Sequence, residues 1–94
     1  MNINDVMQLR ICSPAKITGA PEDIIKTLLE ENVISPGQHQ RKLPFTAIKV
    51  NVVTDKAIHF LLEEPRSLSE VISQLCAESN LLLTSEGETI LLSA

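Results

Sequence analysis

The chain has 94 residues, enough for a single domain over 1–94. A chain this size buries only about 60–65% of its unfolded surface, so the core must be economical. Apolar residues make up 44% and charged residues 21%, a balance that excludes wholesale disorder, and with Phe45 and Phe60 as the sole aromatics the core must be aliphatic. Net charge is −4, with eight Lys and Arg against twelve Asp and Glu. A nucleic-acid binder would show a basic face or base-stacking aromatics, so the composition argues against that class.

The first predicted element is a strand over 6–12, where Met7, Leu9 and Ile11 alternate with Gln8 and Arg10. Residues 13–19 read as a loop punctuated by Pro14 and Gly19. A helix follows over 21–32. Pro21 suits its first turn, Glu22 and Asp23 complement the positive end of the dipole, and Ile24, Ile25, Leu28 and Leu29 form one apolar stripe. Residues 35–46 form the longest irregular segment, broken by Pro36, Gly37 and Pro44. Strands are expected over 47–53, with Ile48, Val50 and Val52 on one face, and over 56–63, with Ile58, Phe60 and Leu62 inward. Thr54-Asp55 between them would make these two a hairpin.

Ser67 and Glu70 have the spacing of a capping box, and Leu68, Val71, Ile72, Leu75 and Cys76 recur at helical spacing, so a second helix runs to about Ser79. Short strands over 81–84 and 89–92 close the chain as a second hairpin around Gly87. The order β-α-β-β-α-β-β predicts an α+β fold. Its simplest form is a two-layer sandwich of the split βαβ, ferredoxin-like type, with two helices on one mixed or antiparallel sheet.

Candidate chemistry is sparse. Cys12 at a strand end could be reactive only beside a cation or helix N-terminus, and packing is the plainer role for it and for Cys76 on the second helix. His39 and His59 lack metal-ligand spacing. The acidic pairs Glu30-Glu31, Glu63-Glu64 and Glu86/Glu88 lie at ends or turns of elements, where a solvated surface explains them. With three glycines in all, the chain has no Gly-rich phosphate loop. These readings predict no catalytic residue, no metal site and no cofactor.

Two surfaces stand out for partner binding. His39, Arg41 and Lys42 concentrate donors and positive charge in the 35–46 segment, where an acidic partner or phosphate could dock; a solvated loop is the plainer reading. Thr89, Ile90, Leu91 and Leu92 form an uncharged, proline-free strand. That strand is either interior or an unguarded edge open to strand addition from a protein partner, including self-pairing into a homodimer. The N-terminal residues have no apolar h-region, and no apolar run approaches the ~18 residues of a membrane span. With only two cysteines the expected address is cytoplasmic, or periplasmic if the chain is trimmed from an exported protein.

The stretch over 49–94 resembles the second half of the short N-terminal domain of secretins and TonB-dependent receptors. The likeness lies in a hairpin leading into the helix Leu68-Ser69-Glu70-Val71-Ile72-Ser73-Gln74-Leu75, then the pair Leu81-Leu82-Leu83-Thr84 and Thr89-Ile90-Leu91-Leu92. The element order agrees as well, whereas the 35–46 segment is longer than that family's. The resemblance implies a periplasmic-type module that docks other proteins without catalysis. Ile17-Thr18-Gly19-Ala20-Pro21-Glu22-Asp23-Ile24 looks like the first loop and helix of ACT-type regulatory domains. That second resemblance implies a small-molecule site around residues 18–23. The expectation is therefore a non-enzymatic interaction or adaptor module, with a small-molecule-binding regulatory domain as the alternative.

Overall fold

The computed structural model describes residues 7, 8, 10–34, 45–54 and 56–94; the fold is α+β, and the elements among these residues include two α-helices and seven short strands. Helix α1, Pro21–Leu29, begins without a polar cap; Pro21 supplies the helical φ, and the Asp23 and Ile24 amides donate to the Ala20 carbonyl. It continues into a π-turn, Glu30–Ile34, which buries Val33 while Asn32 Nδ2 donates to the Leu28 carbonyl at 2.7 Å. Helix α2, Leu68–Ser79, starts at the predicted cap: Ser67 Oγ accepts from the Glu70 N–H at 3.2 Å. The reciprocal half of the box does not form, because the Glu70 carboxylate takes the Arg66 Nε–H instead. Asn80 ends α2 in the left-handed conformation, and its own N–H and that of Leu81 both return to the Cys76 carbonyl.

The strands fall into separate ladders, not the single ferredoxin-like sheet suggested by their order. β1 (Ile11–Cys12) pairs antiparallel with β5 (Arg66–Ser67), and β2 (Ala15–Gly19) with β4 (Ile58–Leu62). These are two parts of one ribbon. Between them Ser13 and Pro14 face Glu63, Glu64 and Pro65, two residues against three, and the register slips by one. A proline on each strand has no N–H to give the ladder, so the interruption falls where the sequence cannot sustain pairing. Counting each broken strand once restores the order β-α-β-β-α-β-β.

Three expectations are corrected. Of the strand expected over 6–12, Val6 and Leu9 lie outside the described residues. Buried Met7 is helical and its carbonyl accepts from the Arg10 N–H, and among the described residues of that span only Ile11–Cys12 is strand. The alternation also misplaced the faces: Ile11 is 62% exposed and Cys12 is buried. The loop expected over 13–19 is mostly strand β2. The hairpin expected between 47–53 and 56–63 does not exist: β3 (Ala47–Val50) pairs parallel with β7 (Thr89–Ser93), while β4 pairs with β2. Thr54-Asp55 lacks the turn chemistry that would hold the two side by side.

β6 (Leu82–Glu86) and β7 do form the closing hairpin. Its loop is two residues, Gly87-Glu88, with Gly87 at φ 60°, the geometry of a II′ turn. The mixed sheet runs β3-β7-β6, with Ile48, Val50, Leu83, Ile90 and Leu92 on its inner face. Helix α1 packs on α2 and touches both β2 of the ribbon and β3 of the mixed sheet; α2 lies against β1 and β5. One aliphatic cluster results, in which Ile25, Leu29, Leu68, Val71, Leu75, Ile90 and Leu92 are fully buried.

Candidate functional site

The closing hairpin decides which surface can receive another chain. Glu86 and Thr89 flank the two-residue turn and so form a hydrogen-bonded pair. Antiparallel pairs alternate, so Leu82, Thr84 and Glu86 direct their N–H and C=O groups to β7, while Leu83 and Ser85 direct theirs away. Among the described residues nothing pairs with β6 on that outer side. The edge from Leu82 to Ser85 is uncharged and free of proline, and Leu82 is 57% exposed. Natural edges usually carry such guards, and here the first charge is Glu86 at the strand's end. The opposite edge of the sheet, β3, is guarded by exposed Lys49.

This placement corrects the expectation for Thr89, Ile90, Leu91 and Leu92. β7 is the interior strand of its sheet, hydrogen-bonded on both sides, so it cannot accept a further strand. Ile90 and Leu92 are wholly buried, and Thr89 and Leu91 sit half-buried on the outer face. The physical reason is the parallel return of β3, which covers the side of β7 that the hairpin leaves open. The signal for β6 was present as Leu81-Leu82-Leu83: in a strand, one of three consecutive leucines faces water. His39, Arg41 and Lys42 lie outside the described residues.

An open cleft of about 370 Å³ lies where α1 begins and α2 ends, lined by Pro21, Thr54, Lys56, Ile58, Glu78 and Asn80 among others. Of the residues 18–23 singled out for a small molecule, Pro21 lines it. Thr18 is instead on the outer face of the ribbon, its Oγ1 hydrogen-bonded to His59 Nδ1 at 3.0 Å. Beside the cleft, Glu22 is only 6% exposed and accepts from the Thr54 N–H at 3.1 Å and the Thr54 hydroxyl at 2.7 Å. Burial pushes its carboxyl up, but the bonds from the Thr54 hydroxyl, the Thr54 N–H and its own N–H outweigh that and leave it below the ordinary value.

Cys12 and Cys76 are unbonded, and burial pushes both thiols up, away from the activated thiolate. Among the described residues no three His, Cys, Asp or Glu side chains stand close enough to hold a metal ion, and no helix is long and apolar enough to cross a membrane. The six glutamates of the acidic pairs are all exposed. Compared with protein families, curated proteins and solved structures, the chain matches none.

Proposed function

We propose that this chain is a small, non-enzymatic protein–protein interaction module that receives an extended strand of a partner along β6. The observation that carries this reading is the outer edge of β6, where the backbone groups of Leu83 and Ser85 have no partner among the described residues and no charge or proline stands guard. Strand addition of this kind takes its affinity from main-chain hydrogen bonds, and the exposed Leu82 side chain adds apolar contact. The resemblance of the α2 segment and closing hairpin to the short N-terminal domain of secretins and TonB-dependent receptors supports the same reading, because those domains dock proteins. The two unbonded thiols support a reducing, cytoplasmic address.

The test is selection of extended peptides from a random library, followed by amide chemical-shift mapping. Binders are expected to shift Leu83 and Ser85 and to be lost in Ser85→Pro. That substitution removes one outward donor and leaves the bonds to β7 intact. Binders that leave those two amides unmoved, or that survive Ser85→Pro, would overturn the reading. The cleft at Pro21, Lys56 and Glu78 supports a second reading, a small-molecule regulatory site. A thermal-shift screen with amino acids and nucleotides tests it: a ligand of the native state raises the melting temperature, and a flat screen removes this reading.

A further inference from the structure

We propose that the strand received by β6 is β6 of a second copy, running antiparallel about a two-fold axis through Thr84; this rests on the edge-docking reading above. The outward groups of β6 belong to two residues, Leu83 and Ser85, two positions apart. An antiparallel partner satisfies both when it presents outward groups with the same spacing, and a second copy does so by identity. In the register that places Thr84 opposite Thr84, Leu83 pairs with Ser85 of the second copy and Ser85 with Leu83. All four N–H groups and all four C=O groups then meet partners.

The neighbouring two-fold registers fail. Leu83 opposite Leu83 brings Ser85 against Leu81, whose N–H already donates to the Cys76 carbonyl at 2.9 Å. Ser85 opposite Ser85 brings Leu83 against Gly87, which lies in the II′ turn and is not extended.

The side chains agree with the Thr84 register. Thr84 meets Thr84 in a closely spaced, non-hydrogen-bonded pair on the outer face, where threonine pairs are favourable. Leu82 loses water against the aliphatic stem of Glu86 from the second copy. The two Glu86 positions end up about 13 Å apart along the strands, beyond the screening length of ~8–10 Å, so the one charge on the edge does not oppose itself. The three-stranded sheets join into one continuous sheet with a closed, isologous interface.

Sedimentation equilibrium and amide hydrogen exchange, both run from about 10 μM to about 1 mM protein, test the proposal. The mean mass is expected to climb from 10.3 kDa toward twice that. Exchange at Leu83 and Ser85 should slow several-fold over the same range, while Thr84, already bonded to β7, keeps one rate. Ser85→Pro should stay monomeric with an unchanged circular-dichroism spectrum. A constant mass with constant exchange at Leu83 and Ser85 overturns self-pairing. If selected extended peptides still shift those amides, the edge itself binds a different strand; if they do not, the docking reading fails too. A dimer that persists in Ser85→Pro, or forms without slowing Leu83, uses another surface and also sinks the proposal.

Discussion

Glu22 ties the first turn of α1 to a segment 32 residues away, and nothing in its local sequence announces the second half of that bond. At the start of a helix a glutamate already complements the dipole, which is a sufficient local reason for its presence there. Removing the carboxylate in Glu22→Ala leaves two Thr54 donors without their acceptor and should cost about 1–3 kcal/mol in a denaturant melt. The pH dependence has a definite sign. A carboxyl held below its ordinary value contributes stability that is complete above the ordinary carboxyl range and lost as pH falls through the folded-state value. Between about pH 6 and about pH 3 the wild type should therefore lose more stability than Glu22→Gln, and equal losses would assign the acid sensitivity elsewhere. The thiols offer a second check. Cys12 is 4% exposed and Cys76 half-buried, so a thiol reagent followed by mass spectrometry should modify Cys76 first and Cys12 only on unfolding.

At the scale of elements, the two helices were the most legible parts of the chain. Both apolar stripes are buried as their spacing requires, because a one-sided helix in water has only one face it can hide. Leu75 is fully buried at the centre of the α2 stripe, and Leu75→Ala should cost about 2–4 kcal/mol by denaturant melt. The outer face of α2 is a polar seam. Arg66 donates to Glu70 and to the Gln74 side-chain oxygen, and Gln74 Nε2 donates to Glu78. Apart from the closing hairpin, the strands over 47–53 and 56–63 show their faces in the sequence and not their partners. Their inward sides are as the alternation requires: Ile48, Val50, Phe60 and Leu62 all reach the core. A period of two states which side a residue occupies and is silent on which strand lies next to it. Strand β2 carries no strand signal of its own, because Pro14 and Gly19 bracket it and its face carries a single large apolar residue, Ile17.

At the scale of the whole molecule, the ribbon and the mixed sheet share one core, which predicts that they unfold together. Backbone circular dichroism and side-chain methyl resonances should give the same denaturation midpoint; two midpoints would divide the chain into separate units. The parallel pairing of β3 with β7, like the pairings within the ribbon, joins residues far apart in the chain. Ile48 and Ile90 are register partners on its inner face, so a double-mutant cycle of Ile48→Ala and Ile90→Ala should show coupling of about 0.5 kcal/mol or more. Additive losses would mean the two strands are not neighbours.

The sequence by itself determined the α+β class, the aliphatic core, both helices with their buried faces, and the closing hairpin. Each follows from local chemistry: a 3.6-residue or two-residue apolar period, a serine cap, a glycine free to take positive φ. Tertiary structure alone decided the pairing of strands far apart in the chain. Hydrogen-bonding groups of the backbone are the same at every residue, so no local signal could say that β3 would return beside β7 and leave β6 at the edge. That choice moved the open edge from Thr89–Ser93 to Leu82–Glu86. Burial goes with that choice: on the interior strand Ile90 and Leu92 both lie wholly inside the core.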